Sequence, residues 1–219
     1  MSMTETIKLY DRDAYATEFE ADIISCEPNK ADDKQFDIIL NQTLFFPEEG
    51  GQSPDMGILG GYRVVDVQIK NGVITHTVDT SAGDCCEVEK EAELAAGVHV
   101  QGKIDWQHRF YNMQQHSGEH IFSGIVHSRF GFENVGFHLS DSVVTMDFSG
   151  VISPEDIAEV EHEVNVAISK NIPIEVTYPS RDELAQLEYR SKIEIEGQVR
   201  IVTVPGYDVC ACCAPHVKR

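Results

Sequence analysis

The sequence predicts an α+β fold in two subdomains, because its hydrophobic pattern changes period once along the chain. Residues 1–102 contain short alternating segments typical of strands, whereas residues 103–219 mix helical and strand patterns. A chain of 219 residues is long enough for one large domain or two small ones. We therefore expect a small β-barrel-like subdomain over 1–102, followed by an α+β subdomain over 103–219.

Six segments of the first half have the composition of strands and are separated by Gly, Asn and Asp. They cover residues 22–27, 36–41, 42–46, 62–70, 73–78 and 98–104. Asn71-Gly72 joins two of them and is a strong hairpin signal, because both residues tolerate a positive φ. Short strands joined by tight turns favour a small barrel or a curled sheet.

A long helix is predicted from Asp105, the candidate N-cap, to the residue before Gly131. Its apolar residues are spaced to lie along one side. They are Phe110, Met113, Ile121 and Ile125. This change to a helical period marks the start of the second subdomain.

Two further helices are predicted from capping-box-like starts at Ser153 and Ser180. The second helix has Pro154 at its first position and an apolar stripe of Ile157, Val160, Val164 and Ile168. The third helix is expected to include Leu184 and Leu187. Strand-like segments alternate with these helices at residues 143–148, 172–178 and 198–204.

The charge balance excludes broad, non-specific binding to nucleic acid. The chain has 17 basic and 37 acidic residues, and a net charge of −20 repels polyphosphate at long range. Any contact with nucleic acid must therefore be local, and the candidate basic residues are Lys103, Arg109, Lys192, Arg200, Lys218 and Arg219. No apolar run approaches the roughly 20 residues that span a bilayer, so we expect a cytoplasmic protein with no membrane contact.

The second half contains two clusters of metal-binding side chains. His116 and His120 are four residues apart on the predicted helix, so both imidazoles lie on one face, and this spacing suits one metal ion. Residues 210–216 (CACCAPH) add three thiols and an imidazole, a donor mixture that zinc accepts. The spacing leaves open which cysteines take part. The other cysteines, Cys26, Cys85 and Cys86, are expected to be small buried residues.

A third motif is the glycine-rich segment FFPEEGGQSPDMGILGG, residues 45–61. Gly50 and Gly51 allow the backbone to approach a ligand closely. The segment lacks the glycine patterns of nucleotide-binding loops, so nothing in it predicts a nucleotide.

Taken in order, the three motifs resemble the editing domain of alanyl-tRNA synthetases and its freestanding form, the AlaX family of trans-editing proteins. The resemblance rests on PEEGGQSPDMG (47–57), HSGEH (116–120) and CCAPH (212–216). It implies a β-barrel-like subdomain followed by a two-layer α+β editing domain. The implied activity is hydrolysis of tRNA(Ala) mischarged with serine or glycine, by a monomer or a homodimer.

The resemblance also implies the residues of the site. Zn²⁺ would be held by His116, His120, Cys212 and His216. The loop of Gly50, Gly51 and Gln52 corresponds to the segment that closes over the aminoacyl end. Because four protein ligands close a tetrahedron and a catalytic zinc keeps an open position, we expect His216 to be the replaceable ligand.

Choosing serine over alanine requires a hydrogen bond to the serine hydroxyl. The candidate partners are Ser117, Gln114, Ser140 and Gln52, and Ser117 is adjacent to a ligand. The sequence departs from the family pattern here, because Ser117 replaces a common Thr and CCAPH replaces a common CGGTH. Family members usually continue beyond the last histidine, which predicts either an unfinished sheet edge or a shortened chain.

Two other interpretations fit the same residues. The segment 116–120 also matches the HxxEH pattern of inverzincin metalloproteases, in which Glu119 would be the general base. Alternatively, a closed structural zinc site could be formed by Cys210, Cys212, Cys213 and His216 in a binding module without catalytic activity.

Overall fold

The computed structural model describes residues 5–81, 93–140, 143–191 and 197–219. Cys85, Cys86 and Lys192 lie outside these ranges, so the expectations about them stay predictions. The expected mixture of strands and helices is confirmed, and strands outnumber helices in the described residues. The chain divides into two compact units, one of residues 1–49 and 53–111 and one of residues 50–52 and 112–219.

The first unit contains eight strands and a 3₁₀ turn at Leu9–Asp11 in the part of the chain described. The strands are β1 (Ile7–Lys8), β2 (Glu18–Pro28), β3 (Gln35–Leu40), β4 (Gln42–Thr43), β5 (Gly57–Leu59), β6 (Tyr62–Lys70), β7 (Val73–Asp79) and β8 (His99–Ile104). β5 lies in the glycine-rich segment and was not predicted, because three residues give no period to read.

Six of these strands close into a barrel in the order β2-β3-β7-β6-β5-β8. Every neighbouring pair is antiparallel, and β8 pairs back onto β2. Asn71 and Gly72 join β6 to β7 with φ of 51° and 76°, which confirms the predicted hairpin. Alternate side chains of the strands fill the interior and are almost fully buried, among them Ile23, Ile38, Val64, Val67, Ile74 and Val78.

A buried ion pair lies in the core of this unit. The Arg109 guanidinium binds the Asp55 carboxylate through Nε and Nη2, and both side chains are fully buried. Arg109 Nη1 also donates to the Ala14 carbonyl oxygen and Nη2 to the Leu44 carbonyl oxygen, so each of its three nitrogens has an acceptor. Arg109 therefore stabilises the fold and is not a surface contact for nucleic acid, contrary to the expectation from sequence.

The second unit contains the three helices and two small sheets of the described residues. Its elements are α1 (Trp106–Phe130, from residue 112 on), β9 (Asn134–Leu139), β10 (Val144–Phe148), α2 (Pro154–Ser169), β11 (Glu175–Thr177), α3 (Arg181–Leu184), β12 (Ile201–Val204) and β13 (Asp208–Ala211). β9 pairs with β10, and β11, β12 and β13 form an antiparallel three-stranded sheet.

The predicted caps are observed at all three helices. The Asp105 side chain accepts hydrogen bonds from the N–H groups of Gln107 and His108, and Ser153 caps α2. Ser180 and Glu183 form a capping box. Helix α3 is shorter than expected and excludes Leu187, because the N–H groups of Gln186 and Leu187 bond three residues back and tighten the last turn.

The apolar face of α2 differs from the predicted stripe. Val160 and Ala167 are buried against α1, in a core that also contains Ile121, Ile125, Val126 and Val204. Ile157 and Ile168 are 44% and 58% exposed, so these two members of the predicted stripe are wrong. Where α2 packs against this core, there is room only for a small side chain, and Ala167 occupies that position.

Three further findings concern the unit boundaries, the described helices and Cys26. Residues 103–111 group with the first unit and Gly50–Gln52 with the second, so the units differ at both places from the expected boundary after residue 102. None of the described helices has the length and apolar character needed to span a bilayer. Cys26 is half-buried rather than fully buried.

Candidate metal centre

Two histidines of the site come from helix α1. His116 and His120 are one turn apart, both are buried, and their ring centroids lie 5.5 Å apart. This is the consequence of the i, i+4 spacing, which places both side chains on one face. The helical backbone therefore sets the spacing of the two imidazoles.

The other two candidate ligands follow β13. Cys212 comes directly after this strand and His216 four residues later. The turn between them is held by Arg200, whose Nη1 donates to the carbonyl oxygens of Cys212 and Ala214. The Cys212 N–H also bonds to the Arg200 carbonyl oxygen at 3.1 Å. Arg200 therefore orders the turn, and it is not a free basic residue on the surface.

The four predicted ligands converge on one point. Their ligand atoms all lie within 4.8 Å of one another. The Cys212 Sγ atom lies 3.6 Å from His116 Nε2 and 3.4 Å from His216 Nε2. Zinc bond lengths place sulfur and nitrogen ligands about 3.6 Å apart in a tetrahedral site, so the geometry fits a metal ion of this kind.

Each of the three histidines has a hydrogen-bond partner at Nδ1. His116 Nδ1 bonds to Gln52 Oε1 at 2.9 Å, and His120 Nδ1 bonds to Asp208 Oδ2 at 2.8 Å. His216 Nδ1 bonds to Ser117 Oγ at 3.0 Å. These partners orient the rings and leave Nε2 of each as the atom available to a metal.

The pKa values favour the metal-binding forms of the cysteine and of His216. Burial raises the pKa of the Cys212 thiol, but His116 and His120 outweigh burial and hold the pKa well below its usual 9.0. Burial lowers the pKa of His216 to about 3. Burial also lowers the pKa of His120, but Asp208 and Cys212 outweigh it and raise the pKa to about 10. Metal binding at His120 would therefore release a proton.

The glycine-rich loop reaches this cluster through Gln52. Gly50 and Gly51 have φ of 64° and 82°, and a side chain on Gly51 would meet the Phe137 carbonyl oxygen at 2.3 Å. The Leu139 N–H donates to the Gly51 carbonyl oxygen at 2.8 Å. The loop therefore lies against β9 and brings the buried Gln52 side chain to His116.

The remaining predicted site residues occupy different positions. Ser117 is buried, and its Oγ also accepts a hydrogen bond from the Val217 N–H. Gln114 is exposed on α1. Ser140 is half-buried, and its hydroxyl donates to the Val143 carbonyl oxygen within its own turn rather than to a residue of the cluster. Of the four candidates for serine selection, Ser117 and Gln52 contact the ligands directly.

Sequence reasoning missed Asp208 and Arg190. Asp208 is 6% exposed, and its two oxygens accept hydrogen bonds from Arg190 Nε and Nη2 while Oδ2 also contacts His120. Asp208 lies two residues before Cys210 on a strand, so both side chains are on the same face. That alternation was a usable signal, because an acidic residue beside a cysteine cluster is a candidate partner for a ligand.

A second group of possible ligands is formed by His120, Asp208 and Cys210. It shares His120 with the first group, and Arg190 already neutralises its carboxylate. Burial raises the pKa of the Cys210 thiol to about 12, so this cysteine does not supply a thiolate. The four-residue group with Cys212 is therefore the better metal site among the described residues.

A cleft of about 780 Å³ has Asp208 in its lining. Asp208, Arg190, Tyr189, Tyr207 and Gly124 are among the residues that line it. None of the four candidate ligands is among its lining residues, but Asp208, which bonds to His120, is one of them.

Residues 4–108 match the family described as class II tRNA synthetases (A). The mouse alanyl-tRNA editing protein Aarsd1 is 32% identical over 226 residues, which cover 96% of this chain and 52% of the mouse protein. The alanyl-tRNA editing protein AlaX-L of Pyrococcus horikoshii is 30% identical, with 96% of this chain and 51% of the relative covered.

A third relative is the alanine–tRNA ligase of Ignicoccus hospitalis, which is 29% identical over 98% of this chain and 23% of the ligase. The chain spans about half the length of the curated editing proteins it matches. All three relatives align over nearly the whole chain. The chain is therefore a homologue of the alanyl-tRNA editing proteins, which confirms the family resemblance that its three motifs predict.

Proposed function

We propose that this protein is a zinc-dependent deacylase that hydrolyses the ester bond of tRNA(Ala) mischarged with serine or glycine. The observation that carries the proposal is the convergence of His116, His120, Cys212 and His216, in a chain homologous to proteins named for alanyl-tRNA editing. The proposal includes a β-barrel-like subdomain over 1–102, a two-layer α+β domain over 103–219, and a cytoplasmic monomer or homodimer.

The donor set supports zinc as the metal. One thiolate and three imidazoles are ligands that zinc prefers over hard cations such as magnesium and calcium. A zinc ion held by these ligands keeps a net positive charge, and it supplies Lewis acidity towards an ester carbonyl and towards water. An aminoacyl ester is already activated for hydrolysis, so the protein needs mainly to bind and orient it.

The surrounding residues would keep the ligands in place during the reaction. Asp208 accepts the Nδ1 proton of His120, and Gln52 accepts that of His116, so neither ring can turn or change tautomer. Phe137 packs on His116 with ring centroids 4.8 Å apart and shields that ligand from water. Through these hydrogen bonds and this packing, the protein itself holds the ligand side chains in an ordered arrangement.

We assign His216 the role of the replaceable ligand. Four protein ligands would fill a tetrahedral zinc site, and catalysis needs one position open. His216 has the weakest support of the three histidines, because its partner at Nδ1 is the hydroxyl of Ser117 rather than a carboxylate or an amide oxygen. A hydroxyl raises the basicity of the ligand less than the Asp208 carboxylate does.

The glycine-rich loop is assigned to the aminoacyl end of the tRNA. Gly50 and Gly51 present backbone without side chains beside Gln52, and the Gly50 Cα faces Cys213, whose Sγ lies 3.4 Å from where a Cβ would be. Glycine permits the close approach that an ester and a ribose require. In this proposal Gly50, Gly51, Gln52 and Ser140 bind the substrate.

Selection of serine is assigned to Ser117 and Gln114. A site that hydrogen-bonds the serine hydroxyl rejects alanine far more strongly than a site that selects by size. Ser117 is next to His116 and contacts His216, whereas Gln114 is exposed on the same helix. Ser117→Ala should lower the ratio of serine to alanine hydrolysis, and Gln114→Ala tests the second residue in the same way.

The central experiment is deacylation of Ser-tRNA(Ala), Gly-tRNA(Ala) and Ala-tRNA(Ala), with and without a chelator. We expect the wild type to cleave the serine ester at least about 100-fold faster than the alanine ester. Chelator and His116→Ala should abolish this cleavage, whereas His162→Ala, an exposed histidine on α2, should leave it unchanged. A folded protein that contains zinc and cleaves none of the three esters would overturn the proposal.

The metalloprotease is the second candidate function, and it depends on Glu119 as a general base. Glu119 is 4% exposed, and its Oε1 already accepts hydrogen bonds from Ser123 and Asn134 at 2.6 Å each. A general base needs to reach the reacting water, and this oxygen is occupied by two protein donors. The structure therefore favours the deacylase over the protease.

A further inference from the structure

Glu119 is a buried acidic residue that the proposed reaction does not use. It lies between the ligands His116 and His120 in the chain, yet its Oε1 binds Ser123 Oγ and Asn134 Nδ2 rather than a ligand. The three side chains form a closed group, because Asn134 Nδ2 also donates to Ser123 Oγ at 2.9 Å. Glu119, Ser123 and Asn134 are all at most 5% exposed.

This group fixes the start of strand β9. Asn134 is the first residue of β9, and its Oδ1 accepts a hydrogen bond from the Gly136 N–H at 3.1 Å. Its side chain therefore bonds on one side to helix α1 and on the other to the strand. A buried amide whose nitrogen and oxygen both have hydrogen-bond partners holds its segment in a single position.

Strand β9 in turn positions the glycine-rich loop and the first ligand. Phe137 packs on the His116 ring, and its carbonyl oxygen leaves no room for a side chain at Gly51. The Leu139 N–H binds the Gly51 carbonyl oxygen, and Leu139 pairs with Gln52. Gln52 then accepts the hydrogen bond of His116.

We infer that Glu119 is a positioning residue, which acts through Asn134 and β9 to place the glycine-rich loop and Gln52 against His116. This inference rests on the proposed function and deepens it. The role needs only an oxygen that accepts two hydrogen bonds, and it needs no negative charge. Glutamine supplies such an oxygen at the same distance from the backbone, whereas alanine supplies none.

The test compares Glu119→Gln, Glu119→Ala and Asn134→Ala by Co²⁺ titration and by deacylation of Ser-tRNA(Ala). The intensity of the cobalt absorption bands reports the ligand geometry without any requirement for activity. We expect Glu119→Gln to stay within about threefold of the wild type in Co²⁺ affinity and kcat/KM. We expect Glu119→Ala and Asn134→Ala to lose about tenfold in both, the lower end of the range for residues that support a ligand.

The double variant Glu119→Ala/Asn134→Ala should be no worse than either single variant, because both act in one network. Glu133→Ala is the matched control, since Glu133 is exposed and directly precedes Asn134. It should bind Co²⁺ as the wild type does.

Two results would overturn the inference. One is a loss of 100-fold or more in Glu119→Gln with an unchanged cobalt spectrum, which is the size expected for removal of a general base. The other is Co²⁺ affinity in Glu119→Ala and Asn134→Ala equal to that of the wild type. If the wild type itself cleaves no ester, the proposed function fails, but the Co²⁺ titration still decides the role of Glu119.

Discussion

His120 Nδ1 donates a hydrogen bond of 2.8 Å to Asp208 Oδ2, and Asp208 binds Arg190 through both of its oxygens. The carboxylate accepts only, so this contact fixes the proton of His120 on Nδ1 and leaves Nε2 for a metal. Arg190 balances the charge of Asp208 in a buried position. His120, Asp208 and Arg190 thus form one continuous hydrogen-bonded network next to the candidate metal centre.

Asp208→Asn should lower zinc affinity about 10- to 100-fold, because an amide accepts a weaker hydrogen bond from His120 and leaves Arg190 without its counter-charge. Competition with a chelator of known affinity measures the change. Asp182→Asn, an exposed residue of α3, is the control and should bind zinc normally. Equal zinc affinity in Asp208→Asn and the wild type would show that the carboxylate does not support the ligand.

His216→Ala should retain more zinc than His120→Ala does. The His120 ring is held by a carboxylate and the His216 ring only by the Ser117 hydroxyl, so His120 is the more strongly supported ligand. We expect His216→Ala to keep one zinc per chain at micromolar metal, while His120→Ala loses it during gel filtration. Loss of zinc from both variants to the same extent would contradict the role of His216 as the replaceable ligand.

The sequence predicts the candidate metal ligands but not the residues that hydrogen-bond to them. His116 with His120, and Cys212 with His216, are each four residues apart, and such short spacings can be read directly. The partners Gln52 and Asp208 are 64 and 88 residues away from the histidines they bind. Contacts over such distances depend on tertiary packing, and no local pattern encodes them.

The same difference between local and long-range contacts explains which helices, turns and strands the sequence predicts. The Asn71-Gly72 hairpin and the helix caps are set by a few adjacent residues, and all are observed. Strand β9 was not predicted, because NVGFHL contains a glycine and a histidine in place of regular alternation. Its conformation is fixed instead by β10 and by the Asn134 side chain.

Asp55→Asn should destabilise the first unit by about 3–5 kcal/mol, because it leaves the fully buried Arg109 guanidinium without its counter-charge. Urea unfolding followed by fluorescence of Trp106 measures the change. Glu18→Gln breaks the exposed ion pair with Lys103 and serves as the control, for which we expect no measurable loss. A destabilisation by Asp55→Asn no larger than that of the control would rule out an energetic role for the buried pair.

Acid should destabilise the barrel through His76. This histidine is fully buried, Thr43 Oγ1 donates to its Nε2, and burial lowers its pKa from 6.5 to about 4. The unfolded chain binds the proton first, so the stability is complete above pH 6.5 and is lost as the pH falls towards 4. We expect wild type to lose about 2 kcal/mol more than His76→Gln between pH 8 and pH 5. Parallel pH profiles of the two proteins, measured by urea unfolding, would refute this.

Of two glycine substitutions near the metal centre, only one should change zinc affinity. Gly51→Ala places a side chain 2.3 Å from the Phe137 carbonyl oxygen at a φ of 82°, so the loop must move and withdraw Gln52 from His116. We expect zinc affinity to fall about tenfold. Gly118 lies in α1, and a side chain there meets nothing within 4 Å, so Gly118→Ala should raise stability by up to about 1 kcal/mol and leave zinc affinity unchanged. Chelator competition and urea unfolding of both variants decide the matter, and normal zinc binding by Gly51→Ala would show that the position of the loop does not control His116.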